Sequence, residues 1–485
     1  MIEREHWMDA NHDFKEMFDP KAIAVVGASR SSPVQGWTGM LGCIRQFGFP
    51  GRIYPINPNA DEIDGLKAYP SLVSLPEPVD LVVMTVQAHV VPDALKDCIA
   101  SGNRNVHIFT AGFKETGEEE GIRLQREIEE IATAGGLRVI GPNCMGLYVP
   151  RARLVTWSPA STESGPVAFV TQSGGHAGDF AKYAAGMGIH FSKAISYGNA
   201  LTLDSTDFLE YLADDPETGI IAMYLEGVKD GRKLLRQVRE INRTKPVVIL
   251  KGGLTDSGSR AVASHTGSLA GGARVWDAFF KQTGAVPVGS LEEIADVVLA
   301  FLHLAPFDGR RVAIMGTGGG IGVAAADACS REGLDVPPMS AETMRELRSF
   351  VPPAGNSIRN PLDVGNVFFE MGLIERALKV IAADPQVDAL IISIHIDWMF
   401  DLAQGDYIEK MAQYLATAAR GHVQGKPYVV SWRCYRSEPG IEKAKDTLHR
   451  VLLDAGVPLY HGFERAARAL ARFAAYHRFQ REVPD

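Results

Sequence analysis

This sequence is poor in three things. Its five cysteines (Cys43, Cys98, Cys144, Cys329 and Cys434) are scattered and form no CxxC pair. That argues against a disulfide framework and against a thiolate metal site, and no other metal-ligand cluster stands out. No apolar run reaches the ~18 residues needed to cross a bilayer. No block of Lys and Arg is present either, and the formal charge is −9. An acidic chain without a basic block is a poor partner for a nucleic-acid backbone. The opening residues, MIEREHWMDANHDFKEMFDP, are charged and have no apolar centre, so they do not read as a secretory signal. The expectation is a reduced, cytoplasmic protein with neither membrane nor nucleic acid as partner.

Glycine is what the chain has in quantity, 49 in 485 residues. At roughly 150 residues per domain, the length suggests about three domains. One unit recurs three times: a short β-branched run, a Gly/Ser turn, then a helix. It reads AIAVVGASRSS from Ala22, PVAFVTQSGGHAG from Pro166 and RVAIMGTGGGIG from Arg311. Each opens a series of apolar strands alternating with helical stretches, which is the pattern of parallel sheets covered on both faces. We therefore expect three doubly wound α/β domains over residues 1–150, 151–305 and 306–485. Ligands of such sheets bind at the carboxyl ends of the strands. Each Gly/Ser turn precedes a helix N-terminus, whose free N–H groups favour an anion. Glycine also simply permits a sharp turn, so a single turn decides nothing.

The VVGAS turn lacks a full GxGxxG. The second strand ends Tyr54-Pro55-Ile56-Asn57-Pro58, without the acidic residue that holds the ribose of a nicotinamide cofactor. A different phosphorylated ligand fits better, although an NAD-dependent oxidoreductase stays open as an alternative.

GAS, INP, DGLKAYPSL, TAGFKETG and GPNCMG follow one another along the first domain. In that order they resemble the Rossmann-like CoA-binding domain of NDP-forming acyl-CoA synthetases, relatives of the succinyl-CoA synthetase α subunit. The resemblance implies that Gly27, Ala28 and Ser29 face the CoA pyrophosphate. Asn57, Pro58 and Lys67 would line the nucleotide part. Thr110, Ala111, Gly112 and Asn143 would lie along the pantetheine path.

KGGLTDSGSRAVASHTGSLAGG, from Lys251, reads as a strand end running into a long Gly/Ser/Thr loop that holds His265. A neutral imidazole can accept a phosphoryl group, and Ser264, Thr266 and Gly267 could supply donors for its oxygens. The segment is similar to the phosphohistidine segment of the ADP-forming acetyl-CoA synthetase branch. That similarity implies phosphorylation of His265, with Glu226 of YLEG as its acidic partner. It also implies that Ser173, Gly174 and Gly175 form a helix N-terminus directed at the phosphate. His176 departs from the branch, where a small residue is usual. On spacing alone it rivals His265 as nucleophile. It would otherwise shape the acyl pocket together with Asn199, or cap its own helix.

The third domain carries GTGGGIG (residues 316–322) and SIRNPLDVG (residues 357–365), the latter similar to the third domain of the same branch. The resemblance implies two flavodoxin-like domains after the first, and no catalytic residue in the last. It implies an α-type subunit that uses CoA, with an ATP-grasp β subunit supplying the Mg-nucleotide site in an α2β2 hetero-oligomer. A non-catalytic CoA sensor on the same fold is a further alternative.

Overall fold

The computed structural model describes residues 14–29, 39–157, 161–266, 272–316, 318–365, 370–403, 405–421, 423 and 425–482. Each repeated unit builds one sheet. The first holds β1 (Ala22–Val26), β2 (Arg52–Ile56), β5 (Leu81–Met84), β6 (Asn105–Ile108) and β7 (Arg138–Ile140), in the order β2-β1-β5-β6-β7 and all parallel. A small hairpin, β3 (Glu62–Ile63) and β4 (Leu66–Lys67), lies beyond β2. The second sheet adds β8 (Gly146–Val149), β9 (Leu154–Val155), β10 (Ser164–Thr171), β11 (Phe191–Ser196), β12 (Ile220–Leu225), β13 (Val247–Lys251) and β14 (Val286–Val288). Its order is β14-β13-β12-β10-β11-β8-β9. The third contains β15 (Val312–Gly316), β16 (Leu362–Asp363), β17 (Ala389–His395), β18 (Tyr428–Arg433) and β19 (Leu459–His461), ordered β16-β15-β17-β18-β19.

In all three, the parallel strands run second, first, third, fourth, fifth. This is the doubly wound order, with its switch point beside the first strand. Leading strands such as β1 and β15 are buried along their whole length, which is why they read as continuous apolar runs.

The chain forms two compact units, residues 1–291 and 292–485. In the first unit one apolar core joins both sheets, with Ile23, Val25 and Val83 beside Leu147, Ile195 and Met223. Two elements sit at the expected boundaries. β8 pairs antiparallel with β11, so residues 146–149 complete the second sheet although the chain enters them from the first. The helix Leu291–His303 belongs mostly to the second unit: Arg465 grips the buried Asp296 carboxylate with two hydrogen bonds of 2.7 Å. The two compact units thus divide at the start of this helix, near Leu291.

A correction concerns the loop after β13. Residues 256–266 form a helix instead. The Thr255 hydroxyl accepts from the Gly258 N–H at 3.1 Å and caps its first turn, where Asp256 also suits the helix dipole. His265 is thus on the last helical turn. The side chains of residues 263–266 and the whole of Gly267 lie outside the described residues, including the expected phosphate donors Ser264, Thr266 and Gly267.

His107 of β6 is completely buried, with its ring against Gly146, where an added Cβ would come within 2.2 Å. Gly146 has φ 84°, so side chains are disfavoured there on two counts. Burial pushes the His107 imidazole down to about 4. The unfolded chain protonates this group near its ordinary value, whereas the folded chain resists. Stability is therefore full above about pH 6.5 and falls towards pH 4, by on the order of 3 kcal/mol from this group. Urea unfolding across that window should show a shallower loss in His107→Gln, and an unchanged slope would remove the assignment.

Candidate functional site

At the carboxyl end of β10, Ser173 caps the helix Gly174–Gly186. Its Oγ accepts from the His176 N–H at 3.2 Å and lies 2.9 Å from His176 Nδ1. The first helical turn has no acidic residue, so the amides of Gly174 and Gly175 head a helix end that suits an anion. Gln172 reaches across to the neighbouring strand, and its Oε1 accepts from the N–H groups of Glu226 (2.5 Å) and Gly227 (2.9 Å). This fixes the turn after β12.

Glu226 is 5% exposed. Tyr224 donates to its Oε1 at 3.1 Å, and the Tyr224 ring stacks on His176 with centroids 4.3 Å apart and planes 14° apart. Burial, then the Glu226 charge, raises the Tyr224 hydroxyl above its ordinary value, which keeps it a donor. Burial lowers His176, against the pull of Glu226 and Asp179. Lys251 ends β13. Its ammonium donates to the Glu226 carbonyl at 2.9 Å and to the Gly252 carbonyl, and lies 5.3 Å from the Trp276 ring centre. Burial pushes Lys251 down to about 8, opposed by Glu226. Three adjacent strand ends thus converge on one polar cluster within an apolar sheet.

The carboxyl end of the first sheet gathers another set. Gly27 has φ 85°, donates to the Ile56 carbonyl at 3.0 Å, and leaves a Cβ only 2.8 Å from Val86. Asn57 Nδ2 donates to the Ala28 carbonyl at 2.8 Å, joining the ends of β1 and β2. Ser29, Pro58 and Lys67 are exposed on this rim, with the Lys67 ammonium 5.0 Å from the Tyr69 ring centre. Thr110 is buried and donates to the Val86 carbonyl at 2.7 Å, whereas Ala111 is exposed. Asn143, at φ 58°, donates its N–H to the Thr110 carbonyl at 2.9 Å.

Three family models match in this order along the chain. A CoA binding domain covers residues 21–150, a succinyl-CoA ligase like flavodoxin domain residues 164–301, and a Ligase-CoA domain residues 312–481. The α subunit of an ADP-forming acetate–CoA ligase II from Pyrococcus furiosus is 37% identical, over 93% of this chain and 95% of that protein. The chain belongs to the NDP-forming acyl-CoA synthetase family, α-subunit type. An ADP-forming acetate–CoA ligase I from Archaeoglobus fulgidus is 36% identical over 95% of this chain, which spans only 63% of that longer protein. A solved acetyl-coenzyme A synthetase 1 from Ca. Korarchaeum cryptofilum, in complex with phosphate and ADP, superposes with a TM-score of 0.82. It has 31% sequence identity, with 97% of this chain and 99% of that one covered. Among the described residues, no helix is long and apolar enough to cross a membrane.

Within this family fold, two of the expected site residues are tied into a network of their own. Asn199 is 3% exposed. Its amide donates to Glu115 Oε2 at 2.6 Å and to Gln125 Oε1 at 3.2 Å, while Asn143 Nδ2 donates to its Oδ1 at 3.5 Å. The Gly112 N–H is committed to Glu115 Oε1 at 2.6 Å, which also accepts from Phe113 at 3.1 Å. The helix bearing His265 packs against the turn Lys114–Thr116 beside these residues.

Sequence reasoning missed Gln172, Tyr224 and Lys251. Their one signal is position: each polar group sits at the end of a buried strand, next to a Gly-rich or acidic turn. It also missed Glu115. Asn199→Ala should destabilise the first unit by about 1–3 kcal/mol, because the buried Gln125 and the partly buried Glu115 lose their donor. Asn199→Asp should cost more, since it sets a carboxylate against Glu115. Urea midpoints of the two variants test that ranking.

Proposed function

We propose that this chain is the CoA-binding and phosphoryl-carrying α part of an NDP-forming acid–CoA ligase. It would exchange acyl-CoA, NDP and phosphate with a carboxylic acid, CoA and NTP. The observation that carries this reading is the arrangement of the first unit. A CoA-type strand-end rim and the Ser173–Glu226 cluster occupy carboxyl ends of neighbouring sheets, and the helix of His265 packs against the turn that follows Gly112.

Phosphate oxygen attacks the thioester carbonyl, the C–S bond breaks, and the CoA thiol leaves with the phosphate proton. A ring nitrogen of His265 then attacks the phosphorus of the acyl phosphate, and the carboxylate departs. Glu226 accepts from the other ring nitrogen and stabilises the phosphohistidine. The helix end at Ser173, Gly174 and Gly175 holds the transferring group by charge rather than by covalent chemistry. An ATP-grasp β subunit, with Mg²⁺ on its nucleotide, exchanges the phosphoryl group with NDP in an α2β2 assembly. Gly27, Ala28, Ser29, Asn57, Pro58 and Lys67 hold the nucleotide part of CoA, and Thr110, Ala111 and Asn143 border its pantetheine arm. His176 faces the acyl side. Support for CoA over a nicotinamide comes from the end of β2, where Asn57 bonds Ala28 and no carboxylate stands ready for a ribose.

Incubating the chain and an ATP-grasp partner with radiolabelled NTP should label His265. Label should vanish in His265→Ala and persist in His176→Ala, and Glu226→Gln should slow it by about 10²-fold or more. Label lost in His176→Ala but retained in His265→Ala would overturn the assignment. No phosphorylation of the wild-type chain would favour a CoA sensor instead.

A further inference from the structure

His176 is held more tightly than a helix cap requires. Ser173 Oγ accepts from the His176 main-chain N–H. Its own proton is then free to go to Nδ1, 2.9 Å away. With the Ser173 hydroxyl donating, Nδ1 is the acceptor and the proton of the neutral ring sits on Nε2. The ring plane is set by the Tyr224 stack, and Tyr224 is in turn tied to Glu226. No bond from Nε2 to a protein group is found among the described residues, and His176 is half-buried in the first turn of the helix that Gly174 and Gly175 begin. The groups facing it are the carboxylates of Glu226 and Asp179, with Lys251 bound to the Glu226 main chain. An imidazole whose plane is set by stacking, and whose Nε2–H bonds to no described protein group when Nδ1 accepts, is equipped to donate to an oxygen on the ligand.

We propose that His176 is a catalytic residue: its Nε2–H donates to the acyl carbonyl oxygen during transfer between CoA and phosphate. When phosphate attacks the thioester, the C–O bond forms and the carbonyl pair moves onto oxygen. That oxyanion accepts the Nε2 hydrogen bond. It then collapses, the C–S bond breaks, and the thiol takes the proton released by phosphate. His176 keeps its own proton throughout. A neutral donor suits this step, because it stabilises the oxyanion without protonating it. Losing one such donor lowers kcat by about 10²–10³-fold.

This inference rests on the proposed ligase reaction, and the phosphate-dependent release of CoA thiol from an acyl-CoA tests the two separately. The assay needs no nucleotide. Wild-type chain with no phosphate-dependent release would overturn the ligase reading itself. Given wild-type release, His176→Ala should lose about 10²-fold in kcat, with KM for acyl-CoA and phosphate within about threefold. His176→Gln, which retains an N–H donor, should recover about tenfold over His176→Ala. A thermal transition at the wild-type temperature, with NTP-side labelling of His265 intact, shows that the alanine chain is folded. A His176→Ala kcat within about threefold of wild type, a loss confined to KM, or His176→Gln no faster than His176→Ala would overturn the assignment.

Discussion

The amide of Asn199 joins two sheets through loops that neither sheet could hold alone. Its two donors go to Glu115 and Gln125 of the first sheet's loop and following helix, and its own position follows β11 of the second. Glu115 meanwhile gathers the N–H groups of Gly112 and Phe113. A carboxylate with three donors can be partly buried without a cation, because hydrogen bonds to the charged form offset its desolvation. The turn Lys114–Thr116, thus fixed, is the surface on which the His265 helix rests. The seating of the His265 helix against the first sheet's carboxyl end depends on this network.

The second sheet meets the opposite problem, that of placing charge inside an apolar layer. Glu226 and Lys251 end adjacent parallel strands, and the Lys251 ammonium bonds to the Glu226 carbonyl rather than directly to its carboxylate. A direct buried ion pair would neutralise both groups and recover little net stability. Bonding to the main chain instead leaves the Glu226 carboxylate to accept from the neutral Tyr224 hydroxyl. Gln172 holds the same turn by its backbone N–H groups.

Period and composition made the sheets legible. Long apolar runs between Gly/Ser turns can hardly be anything but buried parallel strands, and the strands from β10 to β13 stand where their runs stand in the sequence. β8 was hidden because pairing partners are not written locally: GLYV follows the first series in the chain but satisfies its backbone with β11. The helix Asp256–Thr266 was masked by glycines and serines that suggest a loop. Arg260 and Ala261 favour a helix once Thr255 caps the start. The bonds of Asn199 were hidden because nothing in YGNA shows that Glu115 and Gln125, more than seventy residues earlier, accept from its amide. The motifs carried the chemistry, and long-range hydrogen bonds decided which groups remained available for it.

The two glycine turns of the second and third sheets make the point from the other direction. Both put a Gly-rich helix N-terminus at a switch point, and the third borders a cavity of about 350 Å³. By composition the third has the stronger claim to a phosphate. In the structure its neighbour strand ends in Asp363, whose Oδ1 accepts from the N–H groups of Gly318 and Gly365 at 2.9 and 3.2 Å. A phosphate arriving there would meet a like charge already bonded to the Gly318 N–H, which disfavours it. At the second turn the corresponding acceptor is the Ser173 hydroxyl, which is neutral, and the adjacent acid is held one strand away by Gln172. Glycine supplies the same amides in both places. The side chain at the end of the neighbouring strand determines whether an anion can use them.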